Sequence, residues 1–257
     1  MKKYKSFGHK LPSILSNPLF GRRKECGLIP IENDPSWQEW QKTYHSFYNN
    51  TQKKGIGNTV NNSGYKVFQK INLDGLNILE VGPGGLHHTK YWQGVPKHYI
   101  LVDIDEKFLE ISSSKLNKMN IKFERRLTTR KKKGALPAKD GEIDLIVSFY
   151  AIEHLNPLEN HIKEMLRVLK PGGKIIGAIP AEGGFAWGLG RFLTSRRWVK
   201  KNTTVDYDKV ICWEHPNFAD HILNVMSLLT SKNKISFWPL KAPLIDFNLV
   251  IKFIFEK

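Results

Sequence analysis

The sequence predicts an α/β fold in which a doubly wound, mostly parallel sheet is covered by helices on both faces. Short apolar runs without polar alternation recur from Leu76 onwards, as in strands that are buried on both faces. The segments between these runs have the three- to four-residue periodicity of amphipathic helices. Strands that alternate with helices in this way form parallel sheets. With 257 residues, 40% of them hydrophobic, the chain can bury the core of one large domain.

Four apolar runs predict parallel strands, and two later runs predict a last pair. The four are "NILEV" (77–81), "HYILVD" (98–103), "IDLIVSF" (143–149) and "GKIIGAI" (173–179). The last pair is "ISFWPL" (235–240) and "FNLVIKFIF" (247–255).

The segment between the third and fourth runs predicts an amphipathic helix. Its apolar residues recur every three or four positions between 158 and 169. Asn156 is the expected N-cap, and Pro157 suits the first helical position. Gly172 and Gly173 are expected to end the helix in a tight turn.

The flanks of this pattern divide the chain into a cap, a main domain and an insert. Residues 1–69 combine polar loop material with one aromatic helical candidate, "SWQEWQKTYHSFY" (36–48), and we expect a cap without a core of its own. Residues 70–257 are expected to form the main domain. Within it, residues 181–235 carry glycine, aromatic and basic residues, and we expect a lid over the substrate.

The formal net charge of +16 favours acidic partners, because a positive field concentrates anions near the surface. Nucleic acid, anionic lipid head groups and phosphorylated small molecules all meet that condition, and peripheral contact with a membrane is compatible with it. A solvated basic surface without a specific partner explains the same charge, since much of the excess is lysine in a chain that is also rich in asparagine and isoleucine. Both interpretations stay open.

No feature of the sequence indicates a membrane span, an export signal or a metal site. The longest apolar stretches are well short of the roughly 20 residues that cross a bilayer. Pro12 and Pro18 interrupt the apolar region that a signal peptide needs, so we expect a cytoplasmic protein. Cys26 and Cys212 are too few for a disulfide framework, and the nine histidines are too scattered for a metal site.

A glycine-rich turn follows the first apolar run in "LNILEVGPGG" (76–85). Gly82, Gly84 and Gly85 remove side chains there, so the backbone can approach a ligand without Cβ clashes. In an open parallel sheet, ligands bind at the carboxyl ends of the strands, where the amides of the next helix point at them. The turn therefore predicts a ligand site.

Two nucleotide-binding motifs fit this turn poorly. A dinucleotide fingerprint requires glycine at the sixth position of the turn, where His87 stands, and Glu80 would lie close to the pyrophosphate. A phosphate-binding loop requires Gly-Lys-Ser/Thr, which does not follow. A ligand with a cationic end suits the turn better.

The second apolar run supplies the other half of the predicted site. Asp103 ends that run 23 residues beyond Glu80, where a carboxylate can accept hydrogen bonds from both hydroxyls of a ribose. Glu80 is then expected to hold an ammonium group or a water bound to it. The two acids describe an adenosyl ligand with an amino-acid tail.

Five segments in order resemble class I S-adenosylmethionine-dependent methyltransferases of the type 11 kind. They are "ILEVGPGG", "LVDID", "ALPAKDGEIDLIVS", "AIEHL" and "LRVLKPGGKIIGAIP", which together cover about 70–180, under half of the chain. The resemblance implies a seven-stranded Rossmann-like sheet with a helical N-terminal cap and a lid insert after strand five. It also implies S-adenosylmethionine as the cofactor.

The resemblance assigns a set of residues to the cofactor. They are Glu80, Gly82, Gly84, Gly85, Asp103, Ile104, Leu136, Ser148 and Phe149. The glycines are expected along the methionine part, Asp103 at the ribose and the segment near Leu136 against the adenine. An acid often precedes the "LP" pair in such enzymes, but here Lys131, Lys132 and Lys133 stand before it. Adenine recognition then rests on backbone groups, or the loop is placed differently.

His154 is the candidate catalytic residue. It stands in "YAIEHL" just beyond the third run, at the expected mouth of the site, and imidazole titrates near neutral pH. We expect a base or a substrate contact, against the alternative that His154 ties down the loop. His87 and His88 are expected at the surface or as capping residues, and Glu214 and His215 are weaker candidates for substrate contact.

The insert is the expected place for the substrate. Between 181 and 216 it interleaves aromatic residues with basic ones, and such pairs suit phosphorylated sugars, lipid-linked saccharides or single-stranded bases. The aromatic residues are Phe185, Trp187, Phe192, Trp198 and Trp213, and the basic ones are Arg191, Arg196, Arg197, Lys200 and Lys201. The alternative is that the aromatic residues form the core of a short helical lid.

The function expected from these observations is methyl transfer from S-adenosylmethionine to a small-molecule or glycan acceptor at oxygen. The segments "ICWEHPNFADHI" and "DFNLVIKFIFEK" are similar to bacterial methyltransferases of surface-polysaccharide biosynthesis. One alternative is an RNA methyltransferase, favoured by the basic runs 124–133 and 196–201. The other is a subunit that binds the cofactor without catalysis.

Overall fold

The central element of the molecule is one mixed β-sheet. The structure is a computed structural model that describes residues 3–49, 55–130 and 134–257. The strands in these residues are β1 Asn77–Val81, β2 His98–Asp103, β3 Phe123–Leu127, β4 Ile143–Phe149, β5 Leu169–Pro180, β6 Lys232–Trp238 and β7 Val250–Glu256. They form one seven-stranded sheet in the order β3-β2-β1-β4-β5-β7-β6. The predicted fold class is confirmed.

The direction of the strands creates the ligand crevice. Strands β1 to β5 run parallel to their neighbours, while β7 lies antiparallel between β5 and β6. Chain order reverses between β1 and β4, because β2 and β3 lie on one side of β1 and the later strands on the other. Such a switch point leaves a crevice at the carboxyl ends of the two strands.

Helices cover both faces of the sheet and both flanks. They are α1 Ser13–Phe20, α2 Arg23–Cys26, α3 Pro35–Phe47, α4 Gly55–Tyr65, α5 Glu106–Lys118, α6 Leu158–Val168, α7 Phe185–Leu193, α8 Ser195–Asn202, α9 Tyr207–Glu214 and α10 Ala219–Leu229. Helix α3 begins because Asp34 caps the amides of Ser36 and Trp37, and a proline occupies its first position. No helix in the described ranges is both long and apolar enough to cross a membrane.

Strand positions follow the sequence pattern where the strand is buried. The predicted strands 77–81, 98–103 and 143–149 coincide with β1, β2 and β4, and β5 extends the fourth prediction towards its N-terminus. Strand β3 was missed because it is an edge strand with the sequence FERRL and carries largely exposed side chains. Strand β6 begins at Lys232 and ends before Pro239, which lacks an amide to donate.

Three details of the predicted helices are wrong. Helix α6 ends at Val168, and Gly172 and Gly173 lie within β5 and not in a turn that ends the helix. The N-cap of α6 is Pro157 and not Asn156, because Pro157 keeps an extended backbone with ψ 133°. Between Val81 and His98, all of which the structure describes, the sequence analysis expected a helix after the glycines. The chain instead makes one three-residue 3-10 helix, Thr89–Tyr91, since Leu86 has a positive φ of 48° that interrupts a right-handed helix.

The core has three parts. Two apolar clusters fill the two faces of the sheet, and a third lies between α3 and helices α8 and α9. In the third cluster, Trp37 of the N-terminal segment packs edge-on against Trp213 of the insert, with ring centroids 5.9 Å apart. The N-terminal segment therefore shares its core with the insert, and the domain boundaries at residues 69 and 181 stay predictions.

Candidate active site

A large cavity opens at the carboxyl ends of β1, β2 and β4. Its volume is about 1490 Å³, larger than the roughly 300–1,000 Å³ that is typical of small-molecule sites. The strands supply its floor, while α3, α4, α8 and α9 supply residues of its walls. The cavity is therefore large enough for a nucleoside cofactor together with a second molecule.

The glycine turn forms one edge of this cavity. Gly82 and Gly84 line it with positive φ angles of 71° and 53°, which L side chains rarely adopt. A Cβ on Gly84 would lie 2.9 Å from the hydroxyl oxygen of Tyr48, and one on Gly82 would lie 2.6 Å from the Cβ of Ala151. The turn is thus fitted between α3 and the segment after β4, and its backbone faces the cavity.

Glu80 lies in a buried hydrogen-bonded chain behind the turn. Its Oε1 lies 2.9 Å from Nε2 of His88, and its Oε2 accepts from the hydroxyl of Tyr99 at 2.6 Å. Trp92 donates its indole N–H to Nδ1 of His88 at 3.0 Å, so the second nitrogen of that ring carries the proton that Glu80 accepts. The expectation that His88 lies at the surface is wrong, because the ring is fully buried between aromatic neighbours.

Asp103 lies at the end of β2, where the sequence analysis placed the ribose. Its Oδ1 accepts a hydrogen bond from the amide of Asp105 at 2.9 Å. Burial raises the pKa of Asp103 to about 6, against the lowering effect of the amides of Asp105 and Ile104. The carboxylate is therefore ionised at neutral pH and protonated under mildly acidic conditions.

Most of the residues assigned to the cofactor from the sequence lie on the wall of this one cavity. Those on the wall are Glu80, Gly82, Gly84, Asp103, Ile104, Leu136 and Phe149. Ser148 lies behind the wall because successive strand residues face opposite sides, and its hydroxyl donates to the carbonyl of Val81 at 3.3 Å. Gly85 also lies behind the wall, with its open side filled by the ring of His87.

The part of the cavity where the sequence predicts the adenine is bounded by apolar side chains. Ile104 and Leu136 line the cavity, but the amide of Leu136 already donates to Glu164 Oε2 at 3.0 Å and its carbonyl accepts from Arg167 at 3.2 Å. The backbone of Leu136 is therefore engaged. The three lysines 131–133 lie outside the described residues.

His154 lies at the cavity and is bound to Glu214. Its Nδ1 contacts the carbonyl oxygen of Glu214 and lies 3.4 Å from the carboxylate Oε2 of the same residue. Burial lowers the pKa of His154, but the hydrogen bond to Glu214 and the charge of Glu153 outweigh it and raise the pKa to about 9. His154 is therefore an imidazolium at neutral pH and a poor proton acceptor.

Glu153, the preceding residue, has the properties of a proton acceptor. It lines the cavity with a buried side chain, and its Oε2 has no hydrogen-bond partner among the described residues. Burial raises its pKa to about 7, although the charge of His154 lowers it. A carboxyl group with a pKa near the working pH suits general base catalysis. The sequence pointed to His154 because imidazole titrates near neutrality when unperturbed.

A second buried charge network lies beside these residues. Glu182 Oε2 accepts from Arg191 at 2.6 Å and from the indole of Trp187 at 2.8 Å, and it lies 2.8 Å from Nδ1 of His215. Burial lowers the pKa of His215 to about 4, although Glu182 raises it, so its ring is neutral at pH 7. The ring of His215 stands edge-on to that of His154 at 4.6 Å. The network connects the insert to His154, the neighbour of Glu153.

The basic residues of the insert separate into two groups. Arg191 is buried against Glu182, and Arg196 is paired with Asp208, so neither presents a free guanidinium to a phosphate. Arg197, Lys200 and Lys201 are exposed.

The aromatic residues of the insert also differ in their surroundings. Trp187, Trp198 and Trp213 all line the cavity, but Trp213 is at the same time part of the third core cluster. The alternative of a packed helical lid therefore accounts for Trp213 and in part for Trp198, whose ring lies 5.5 Å from that of Phe47 in the same cluster, while the indole of Trp187 donates to Glu182.

Helix α3 contributes a wall that the sequence analysis did not assign. Tyr44 and Tyr48 line the cavity, and both rings pack against Phe108 of α5. His45 lies between them on the chain, with its Nε2 2.8 Å from Asp105 Oδ2. The signal in the sequence was the four-residue spacing of the two tyrosines, which places them on one face of the helix.

In the ranges that the structure describes, no group of three His, Cys, Asp or Glu side chains is arranged to hold a metal ion.

Sequence comparison gives matches over the central part of the chain. Residues 79–177 match the family model Methyltransf_11, described as a methyltransferase domain. The ubiquinone/menaquinone biosynthesis C-methyltransferase UbiE of Stutzerimonas stutzeri is 24% identical over 155 residues, which are 56% of this chain and 60% of the relative. The demethylmenaquinone methyltransferase of Lactococcus lactis is 32% identical over 114 residues, which are 40% of this chain and 42% of the relative. The chain thus spans about 60% or less of these two relatives.

Structure comparison gives the same fold. A SAM-dependent methyltransferase from Thermotoga maritima, described as a possible histamine N-methyltransferase, is similar with a TM-score of 0.54 and 18% sequence identity. The similarity covers 86% of this chain and 99% of that protein. At this identity the similarity concerns the fold.

Proposed function

We propose that this protein methylates a small-molecule acceptor at oxygen. The premise is that residues 79–177 are a class I S-adenosylmethionine-dependent methyltransferase domain. The observation that carries the proposal is the single cavity that joins the glycine turn and Asp103 to the buried carboxyl group of Glu153. A cofactor half and a proton-accepting half are what such a reaction requires in one enclosed space.

The residues of the cavity fit S-adenosylmethionine. Gly84 leaves space at a point where a Cβ would approach the Tyr48 hydroxyl, and the partly buried carboxylate of Asp103 suits the two ribose hydroxyls. Ile104 and Leu136 supply apolar surface for the adenine, and Glu80 supplies negative charge near the amino-acid end. When bound, the cofactor supplies an electrophilic methyl group on its sulfonium.

The acceptor is proposed to lie between the cofactor half and the aromatic walls. Trp40 and Tyr44 of α3 and Trp198 of α8 all line the cavity, and together with the bound cofactor they limit the acceptor to a small molecule or a saccharide unit. This enclosure favours a small acceptor over RNA. A free hydroxyl on a sugar or a related glycan building block is the acceptor that we propose.

The proton of that hydroxyl is proposed to pass to Glu153. Its Oε2 is the buried oxygen at the cavity that has no partner in the described residues, and its pKa of about 7 leaves a large fraction ionised at neutral pH. His154, fixed by Glu214, is proposed to contact the acceptor as a cation and to stabilise the ionised form of Glu153. The two neighbours then act as a pair, one accepting the proton and one orienting the acceptor.

A carbon acceptor is the second candidate. The relatives from Stutzerimonas stutzeri and Lactococcus lactis are named for quinone methylation, the former as a C-methyltransferase. Methylation of an activated ring carbon also releases a proton, so the same carboxylate serves that reaction. The position of the new methyl group distinguishes the two candidates.

The test is transfer of label from methyl-labelled S-adenosylmethionine into fractionated cell extract, followed by mass spectrometry and NMR of the labelled product. We expect label in a small molecule or glycan precursor, on oxygen, that is lost with Asp103→Ala. Label on carbon would select the second candidate. Label in RNA, or none in any fraction while the cofactor binds, would contradict the proposed function.

A further inference from the structure

An exposed apolar patch lies on the outer surface of the N-terminal segment and the insert. Such patches are uncommon on soluble monomers and mark interaction sites when they are large and contiguous. We define the apolar patch as Phe7, Ile14, Leu15, Phe185, Leu189, Leu193, Leu244 and Phe247, all of which are exposed. Ile14 is the most exposed member, with a relative solvent accessibility of 83%.

The segments that carry the patch are joined around Asp246. Its carboxylate accepts from the amide of Phe7 at 2.9 Å, from the amide of Gly8 at 2.7 Å and from the amide of Phe185 at 3.3 Å. Phe247 follows Asp246 directly in the chain. One buried carboxylate therefore holds three of the four patch segments side by side.

Helix α1, the fourth segment, is attached to α7. Arg191 of α7 donates to the carbonyl of Leu19, and Gly188 leaves no space for a Cβ because Phe20 and Leu19 pack against it. Arg196, just beyond α7, donates to the carbonyl of Pro18 at 3.3 Å. The exposed Ile14 and Leu15 thus belong to the same built surface as the stripe on α7.

Helix α7 has two different faces. Phe185, Leu189 and Leu193 recur every four residues and form one exposed apolar stripe. Trp187 and Arg191, which fall between them, line the cavity instead. The same helix therefore separates the candidate active site from the patch.

Positive charge predominates in the patch segments, although Lys10 lies 3.8 Å from Asp220 and the exposed Glu25 directly follows Lys24. Between Lys3 and Lys24 the chain has six Lys or Arg residues and no Asp or Glu, and between Phe185 and Asn202 it has five and again none. The exposed cations in and beside the patch segments are Lys3, Lys5, Lys10, Lys24, Arg197, Lys200, Lys201 and Lys241. The carboxylate of Asp246, which holds the segments together, is itself buried.

We propose that the apolar patch docks the protein on the surface of an anionic lipid bilayer. Apolar side chains that enter the interface, flanked by cations that meet acidic head groups, are the two features that stable peripheral binding combines. A protein partner with an apolar face would be served by the stripe alone, but it would not call for eleven Lys and Arg residues in the two segments 3–24 and 185–202, which contain no Asp or Glu. The density of positive charge therefore favours an anionic membrane over a protein partner.

The docking places one edge of the cavity at the membrane. Because α7 carries the patch on one face and lines the cavity with the other, an amphipathic acceptor held in the bilayer would meet the candidate active site over a short path. This consequence rests on the proposed function, whereas the docking itself does not.

The test is sedimentation of the full chain with vesicles of phosphatidylcholine alone or of phosphatidylcholine and phosphatidylglycerol in equal amounts. We expect binding to the anionic vesicles that weakens with salt and is at least about tenfold stronger than to the neutral ones. The variants Ile14→Asp and Leu189→Asp each place a charge in the patch and should reduce binding about tenfold or more. Ile111→Asp is the matched control, since Ile111 is exposed on α5 outside the patch and its replacement should leave binding unchanged.

Thermal unfolding and binding of S-adenosylmethionine report whether each variant is folded, and Ile14 provides a second site if Leu189→Asp fails to fold. Equal binding to both vesicle types, or equal binding by the patch variants and the wild type, would overturn the proposal. So would a stable dimer of the wild type in solution that the patch variants dissociate, because a second copy would then cover the patch. Vesicle binding without any methyl transfer would leave the docking intact and count against the proposed function only.

Discussion

Glu153 and His154 are neighbours in the chain, yet their surroundings shift their pKa values in ways that exchange their expected roles. Glu214 beside the imidazole raises its pKa to about 9, and burial raises that of the Glu153 carboxyl group to about 7. At neutral pH the histidine is a cation and the glutamate is partly ionised. We therefore propose the glutamate, and not the histidine, as the proton acceptor.

Replacing the base should slow the reaction and change its pH dependence. Glu153→Gln should lower kcat about 100-fold or more, within the range that general bases contribute. For the wild type, kcat should rise with pH through about 7, because the carboxyl group accepts a proton only when ionised. Steady-state kinetics of the variant on the labelled acceptor should show no such rise.

His154→Gln is the matched comparison for this prediction. It removes the cation while retaining a side chain that donates hydrogen bonds, so it should raise KM more than it lowers kcat. A larger loss of kcat in His154→Gln than in Glu153→Gln would return the role of base to the histidine.

The residue scale also separates what the sequence revealed from what it did not. The glycines and Asp103 could be proposed as site residues because their type and spacing follow from the backbone turn and from the end of a strand. The pKa of His154 depends on Glu214, which is 60 positions away in the chain, and the pKa of Glu153 depends on its burial. Spacing along the sequence carries no information about such a contact.

At the scale of elements, the insert is held in place by one buried carboxylate. Glu182 follows β5, and its partner Arg191 lies in the middle of α7, with His215 just beyond α9. Removing one partner of a buried ion pair is strongly destabilising, because the other charge is then left buried with neither a counter-charge nor water. Glu182 therefore fixes both helices relative to the sheet.

Glu182→Gln should lower the free energy of unfolding by about 3 kcal/mol, as measured by urea denaturation, since it leaves the buried Arg191 without a counter-charge. Glu25→Gln is the control, because its pair with Arg22 is largely exposed and should contribute little. Equal, small effects of the two substitutions would show that the network does not hold the insert.

Elements were predictable where one physical rule dominated. Buried parallel strands need continuous apolar runs, and β1, β2 and β4 lie where those runs lie. Strand β3 lies at the sheet edge and has no alternation of apolar and polar residues. Its charged sequence therefore did not predict a strand. The predicted helix after the glycine turn does not form because Leu86 has a positive φ. Leucine rarely adopts this conformation, so the sequence does not predict it.

At the scale of the whole molecule, the cavity depends on segments that are far apart in the chain. Helix α3 supplies Tyr44 and Tyr48, the insert supplies Trp198, and the sheet supplies Asp103 and the glycine turn. The sequence predicted a cap and a lid, but their common core of Trp37 and Trp213 became visible only in three dimensions. The enclosure that favours a small acceptor is a property of this assembly and of none of its parts.

The most direct test of this assembly is calorimetric titration of the wild type and of Asp103→Ala with S-adenosylmethionine. We predict one site in the wild type. The affinity of the variant should be at least about tenfold weaker, because two ribose hydrogen bonds are lost. Wild-type binding should also weaken below about pH 6, as Asp103 becomes protonated. Asp103→Asn should bind S-adenosylmethionine weakly both at neutral pH and below about pH 6. Wild-type binding no tighter than that of Asp103→Ala would contradict the placement of the cofactor in this cavity.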